Sequence, residues 1–301
     1  MQTRRACHGL LLALVCVVTS ACAPAQWIGN GPGESQTYRV RGKSTLLDVA
    51  RHYDFGYVEV VAANPGVDPW LPGGGTRVVL PSLHLPPSGE REGLIINLAD
   101  MRLYYFVDGE RMRSYPIGIG REGLSTPLGH TTIVRKVTNP TWRPTARMRR
   151  DDPSLPAEVP AGPDNPMGTR ALYLGFAPYA IHGTNRPFAV GRRVSSGCLR
   201  LYTPDIEDLY DRVTVGTKVA IVDEPVKLAW IRGELFMEAH PTQQQALALE
   251  AGKPIASQMT AAIVARVKAA AKDQAERIDW DRVKRIAAER RGYAVRITSP
   301  R

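Results

Sequence analysis

Two residues of this chain have neighbours that suit them for chemistry. His182 stands in Ile181-His182-Gly183-Thr184, at the end of a short apolar run. Cys198 stands in Val194-Ser195-Ser196-Gly197-Cys198-Leu199-Arg200-Leu201. Fifteen residues separate them, enough for a loop to bring the histidine back beside the cysteine. Such a pair is the minimum for thiol nucleophilic catalysis. The reactive form is the thiolate; a free cysteine titrates near pH ~8.5, and an adjacent histidine lowers that value. Gly197 permits a tight turn, so the amides of Gly197 and Cys198 can point at a developing oxyanion. Loss of one such donor typically costs about 2.7–4 kcal/mol of barrier. Taken alone, the same residues also fit a satisfied structural histidine and a buried, inert thiol.

The elements that must position this pair are short strands. From Gly93 the pattern is β: Leu94 to Leu98, Arg102 to Val107 with Asp108-Gly109 as a hairpin turn, Met112 to Ile119, Thr131 to Val137, Leu172 to Leu174, Tyr179 to Ile181, and Lys218 to Val222. One helix is clear, Pro204 to Arg212, with Thr203 as N-cap and Ile206, Leu209, Tyr210 and Val213 on its apolar side. Asn139 to Gly168 is long, irregular and dense in Pro, Arg and Asp, a composition that fits a cover over a binding site or a solvated loop surface.

The ends of the chain carry other information. Arg4 and Arg5 precede an apolar run from Leu10 to Val18 and then Thr19-Ser20-Ala21-Cys22, the layout of an export signal over residues 1–21. Two cleavage patterns fit: a lipobox in which Cys22 is lipidated, or ordinary cleavage after Ala23. Of four cysteines, Cys7 and Cys16 leave with the signal and Cys22 is lipidated or removed, so Cys198 is the remaining thiol. Residues 37–81 read as β-α-α-β, with Ser44 capping a helix from Leu46 to Tyr53 and a second helix from Tyr57 to Ala63 stopped by Asn64-Pro65-Gly66. Residues 82–92, with Pro86-Pro87-Ser88-Gly89, have the composition of a linker. Residues 224–301 are predicted to be partly helical, with a strand at Gly233–Glu238 and helices over Met259–Ala271 and Arg282–Arg290. Within 225–301, 14 Lys plus Arg stand against 8 Asp plus Glu, a net +6.

The 301-residue chain has 23% charged and 44% hydrophobic residues, a folded composition. A net charge of +10 raises the question of nucleic acid, but no nucleic-acid motif occurs and export removes the partner. Neither C-x-x-C, H-E-x-x-H nor an EF-hand loop occurs, so nothing in the sequence calls for a metal or another cofactor.

The string around Cys198 resembles the signature of the L,D-transpeptidase catalytic domain, the YkuD family, over about Gly93 to Asp223. Further tracks lie at Asn97, Arg102, Pro116-Ile117-Gly118, Thr126-Pro127-Leu128-Gly129 and Asn165-Pro166-Met167-Gly168. The family's second histidine is Ser196 here and its common terminal Asn is Arg200. Both variants resemble exported Gram-negative members that carry a LysM module in front. Residues 37–81 resemble such a module through Tyr38 to Leu46, Asn64-Pro65 and Val79-Leu80-Pro81, although the first loop is one residue longer than usual.

The resemblance implies a mainly β, sandwich or barrel-like catalytic domain with one helix, a small βααβ glycan-binding module before it and a helical tail after it. It implies acyl transfer from tetrapeptide stems of peptidoglycan, at the L-centre of diaminopimelate, to an amine: a lipoprotein's C-terminal lysine or another stem. Cys198 would be the nucleophile and His182 the general base and acid. The Gly183 carbonyl would orient the imidazole, and Gly197 would contribute to the oxyanion hole. Arg200, Ser196, Ser195 and Thr184 would contact substrate, with a structural ion pair as the other role open to Arg200. The implied place is the periplasm, tethered to the outer membrane through Cys22. Two other functions fit the same residues: an L,D-carboxypeptidase, with water as acceptor, and a catalytically retired wall-binding lipoprotein.

Overall fold

The computed structural model describes residues 36–107, 109 and 112–299. The export segment and Cys22 lie outside the described residues. The first unit is β1 (Gln36–Arg39), α1 (Leu46–His52), α2 (Tyr57–Ala63) and β2 (Arg77–Leu80), with β1 and β2 antiparallel. The cap of α1 is Thr45 rather than Ser44. Its hydroxyl accepts from the Asp48 amide at 3.1 Å while the Asp48 carboxylate accepts from the Thr45 amide at 2.9 Å, so two helix-end donors are satisfied together. Asn64 ends α2 and donates to the carbonyls of Val60 and Val79, at 2.8 and 2.9 Å, fastening the helix to β2.

The central unit contains β3 (Gly93–Asn97), β4 (Arg102–Phe106), β5 (Met112–Pro116), β6 (Ile119–Gly120), β7 (Gly129–Thr138), α3 (Ala146–Asp151), β8 (Arg170–Leu174), β9 (Ala180–His182), β10 (Arg193–Ser195), β11 (Leu199–Arg200), α4 (Thr203–Arg212) and β12 (Lys218–Val222). Eight strands form one sheet in the order β11-β9-β8-β7-β12-β3-β4-β5, and β6 pairs with β10 apart from it. The ten-residue β7 pairs with β12 over its first half and with β8 over its second. A register shift between Ile133 and Arg135 separates the halves, and such an irregularity bends a strand, curling the sheet. The architecture is mainly β, with α4 laying Ile206 and Leu209 into the core.

The last unit is β13 (Val226–Ile231), β14 (Glu234–Ala239), α5 (Gln243–Glu250), α6 (Ala261–Ala271), α7 (Trp280–Glu289) and β15 (Val295–Arg296). Its three strands form an antiparallel sheet, and Leu235 and Met237 share a core with Val267 of α6 and Val283 of α7.

These units are not strung on a free linker. All seven residues of α2 are buried. Leu46 and Val49 belong to the same core as Leu103 and Tyr115 of the central sheet and Ile117 just after β5. The first amides of α2 find their acceptors on the central unit: Tyr57 N–H donates to the Val190 carbonyl at 3.4 Å and Val58 N–H to the Gly191 carbonyl at 3.1 Å. The backbones meet so closely that a Cβ on Gly191 would lie 2.2 Å from the Gly56 Cα, and Gly191 has φ +71°. Within 82–92, His84, Leu85 and Pro87 are buried rather than exposed. The imidazole of His84 reaches Glu59 at 2.9 Å on one side and Glu238 at 3.4 Å on the other.

That contact belongs to a buried charge cluster joining the three units. Arg102 on β4 meets both oxygens of Glu59 at 3.2 and 2.9 Å. Lys227 on β13 lies 2.7 Å from Asp100 and 2.8 Å from Glu238. Asp100, Glu238 and His240 place three metal-type ligand atoms within 4.8 Å of one another, but the two carboxylates hold the Lys227 ammonium and His240 lies against Glu238 at 2.5 Å. Burial alone would raise the Glu59 carboxyl; the Arg102 charge and His84 outweigh it and hold it down at about 2.

Candidate active site

His182 ends β9 and Cys198 immediately precedes β11. The strands are parallel, with Leu199 opposite Ile181 and Arg200 opposite His182. Arg200 and His182 therefore share a face, and Cys198, two residues before Arg200, falls on the same side by strand alternation. The imidazole is 5% exposed. Its Nδ1 lies 2.6 Å from the Gly183 carbonyl, an acceptor only, so Nδ1 carries the proton and Nε2 the lone pair.

The charge state of the pair differs from the expected thiolate. Burial, chiefly, and then the Arg200 guanidinium push the imidazole down to about 4, against smaller support from the Gly183 and Met167 backbone. Burial also pushes the Cys198 thiol up; the Ala180 backbone and Arg200 oppose it and lose. Near neutral pH the pair thus rests as thiol and neutral imidazole, because a low-dielectric site penalises both charges. The thiol and imidazole make no hydrogen bond to each other among the described residues, and the thiol's polar neighbour is the Ala180 backbone. Apo catalytic contacts commonly tighten only with substrate.

The turn before the thiol is fixed by its own hydroxyls. Ser195 Oγ accepts from the Gly197 amide at 3.0 Å and donates to the Cys198 carbonyl at 2.6 Å. Thr126 Oγ1 donates to the Gly197 carbonyl at 2.8 Å. Gly197 has φ +111°, and a Cβ there would lie 2.5 Å from the Tyr179 ring, so both conformation and space demand glycine. Two expectations change. The Gly197 amide is engaged by Ser195 and does not face an oxyanion in this state, whereas the Cys198 amide meets no acceptor among the described residues. Ser195 is buried with its hydroxyl committed to the turn, so its place is inside the loop rather than against substrate. Thr184 is likewise buried, and its Oγ1 accepts from the Arg186 amide at 3.0 Å.

Ser196 and Arg200 do face open space. They border a cavity of about 600 Å³ whose far wall comes from the irregular stretch over 139–168, including Trp142 and Val159, which bridge each other through two 2.9 Å backbone hydrogen bonds. Asn165, fully buried, staples that stretch by donating to the carbonyls of Pro140, Val159 and Pro160. Just behind it, a Cβ on Gly168 would lie 2.9 Å from the Thr184 amide, so the base of the cover lies against the turn after His182. Arg200 has no acidic partner among the described residues, and its Nε is buried without an acceptor. An ion pair behind the site is therefore not its role. Thr126, Tyr179 and Asn165 are positioning residues that chemistry-based reading missed. Thr126 and Asn165 fall inside family-like strings, which is the signal that marks them.

A thiol just before one strand and a tautomer-fixed imidazole on its neighbour, beside a cavity that Ser196 and Arg200 border, are the equipment of a cysteine acyltransferase. Comparison with known proteins narrows the class. Residues 91–221 match the L,D-transpeptidase catalytic domain, YkuD. The chain is 40% identical over 279 residues to the probable L,D-transpeptidase ErfK/SrfK of Salmonella typhimurium, covering 89% of this chain and 88% of that protein. It is 49% identical over 217 residues to the probable L,D-transpeptidase YbiS of Escherichia coli K12, covering 69% and 71%. The catalytic domain of an E. faecium L,D-transpeptidase, solved by NMR, aligns at 21% identity over 45% of this chain and 99% of that one, with a TM-score of 0.36. The chain belongs to the L,D-transpeptidase family and is a cysteine transpeptidase.

Proposed function

We propose that the enzyme acts on peptidoglycan, taking the acyl group of a tetrapeptide stem at the L-centre of diaminopimelate. The observation that carries the roles is the Nδ1 contact to the Gly183 carbonyl at 2.6 Å, which leaves Nε2 of His182 as the base on the face shared with Cys198. As Sγ attacks the scissile carbonyl, Nε2 takes the thiol proton, and the free Cys198 amide donates to the oxyanion. Collapse breaks the C–N bond, and the same proton goes to the departing D-alanine amine. An acceptor amine then attacks the thioester and gives a proton to Nε2, and the sulfur leaves and is reprotonated. A lipoprotein's C-terminal lysine and a second stem are the acceptors that suit this step. Mass spectrometry of tetrapeptide stems incubated with the enzyme tests the reading. An acyl adduct on Cys198, absent in Cys198→Ala, is expected, and its transfer to lysine, diaminopimelate or water identifies the acceptor. Stems returned unchanged with no adduct would overturn it.

The same reading places the enzyme in the periplasm, on the outer membrane through a lipidated Cys22, supported by the order of Arg4-Arg5, the apolar run and Ala21-Cys22. It makes the first unit a LysM-like glycan-binding module. Trp70 and Leu71, 48% and 80% exposed, offer an apolar face beside α1, and Trp70 lies against the buried Tyr57 ring at 5.7 Å between centroids. Trp70→Ala should weaken cosedimentation with sacculi while sparing turnover of small stems; unchanged cosedimentation would remove the module's glycan role.

A further inference from the structure

The cavity bordered by Ser196 and Arg200 is lined by four guanidiniums and by three carboxylates, Asp151, Asp152 and Asp164. Of the guanidiniums on its wall, Arg147 is paired with Asp151 at 2.9 Å. Arg121, Arg186 and Arg200 have no carboxylate within 4.0 Å among the described residues. Arg200 is half-buried with its Nε lacking any acceptor, and the Arg186 charge bears on it. Two like charges on one wall, one of them partly withdrawn from water, cost free energy until an anion joins them.

Both arginines are tied to the reacting groups. Arg200 sits opposite His182 in the β9–β11 ladder and two residues beyond Cys198. The Arg186 backbone is held to Thr184 at 3.0 Å, in the turn that directly follows His182 and Gly183. Two residues of strand span about 6.6 Å, so the Arg200 backbone lies within one amino-acid side chain's length of the nucleophile's.

We propose that Arg186 and Arg200 form a clamp for a free carboxylate of the donor stem, an inference that rests on the donor assigned above. A tetrapeptide donor presents two such groups near the scissile bond. One is the terminal carboxylate of the leaving D-alanine, three bonds from the attacked carbon. The other is the D-centre carboxylate at the end of the diaminopimelate side chain. Guanidinium forks match either, and charge-assisted pairs of this kind are among the stronger hydrogen bonds. The clamp would make the enzyme select donors by charge beside the cleaved bond.

Two measurements on the full chain test this. Iodoacetate and iodoacetamide alkylate a thiol at the same carbon with the same leaving group and differ in the carboxylate. The ratio of their rates at Cys198 should fall at least about fivefold in Arg186→Gln and in Arg200→Gln, and Arg186→Lys should restore part of it. A ratio indifferent to Arg186 overturns the clamp, whatever the turnover. Then three donors are compared: the tetrapeptide, the tetrapeptide amidated at the D-centre, and a pentapeptide, in which the fourth residue's carboxylate is an amide. With the tetrapeptide, Arg186→Gln should raise KM about tenfold and leave kcat within about twofold, the pattern of lost binding. The donor lacking the clamped carboxylate should show the raised KM already in the wild type and no further loss in the variant. Equal losses with all three donors would also overturn the clamp. If no donor is consumed while the alkylation ratio still depends on Arg186, the anion site stands and the stem-peptide reading falls.

Discussion

Arg102 and Arg200 are both withdrawn from water in one sheet, and their surroundings are opposite. Arg102, near one edge, is matched by both Glu59 oxygens and by Ser114 Oγ at 3.0 Å, and its charge is favoured further despite its burial. Arg200, on the other edge, meets no acid among the described residues, and burial makes its charge less favourable than usual. The first charge is part of how the units hold together. The second is an unanswered charge at a cavity, where a ligand can answer it. Paired and unpaired burial thus separate structure from function more sharply than residue type does.

The largest effect should come from breaking the paired side. Lys227→Met removes the cation shared by the buried Asp100 and Glu238 carboxylates, and buried charge left uncompensated costs about 3–5 kcal/mol, read as a lower midpoint in urea unfolding. Arg200→Gln, on the unpaired side, should change stability by less than about 1 kcal/mol in either direction while lowering turnover. If the two variants destabilise equally, the distinction fails.

The next effect is the acid response of the paired side. The Glu59 carboxyl is lowered from an ordinary 4.5 to about 2. A depressed carboxyl contributes stability that is whole above 4.5 and is lost as pH falls toward 2, here on the order of 3 kcal/mol. Glu59→Gln should lower stability at pH 7 and flatten its dependence over that window, measured by thermal unfolding across pH.

On the unpaired side the pH effects are on rate. His182 must be neutral to accept a proton, and with its value lowered to about 4 the acid limb of kcat/KM should lie near pH 4 rather than near 6.5. Arg200→Gln removes a cation that disfavours the imidazolium, so the limb should move to higher pH. The smallest expected effect concerns the thiol. Burial raises it, so iodoacetamide should label Cys198 slowly at neutral pH and faster as pH rises, and Arg200→Gln should slow the labelling further. Fast labelling at pH 7 would mean a resting thiolate and would overturn the neutral pair.

Much of this was legible in residue order. The Ile181-His182 strand end, the Gly197-Cys198 turn, the strands of the central sheet other than β11 and the helices over 261–271 and 280–289 follow from alternation, spacing and caps. What escaped was set by tertiary burial. No local pattern tells that His182 and Cys198 lie deep enough for burial to keep both uncharged. Nor does Pro86-Pro87 tell that His84 and Leu85 are covered. Helix α5 does carry a local signal, Thr242 with Gln245 three residues on, where the Gln245 side chain accepts from the Thr242 amide at 2.9 Å. Ser195 misled because a serine beside a nucleophile suits substrate binding as well as it suits a turn.

The docking of α2 on Val190 and Gly191 has a mechanical consequence. The helix begins on the very loop that runs from His182 to Cys198. The first unit is therefore a gauge, not a leash: whatever grips Trp70 is held at one fixed offset from the sulfur.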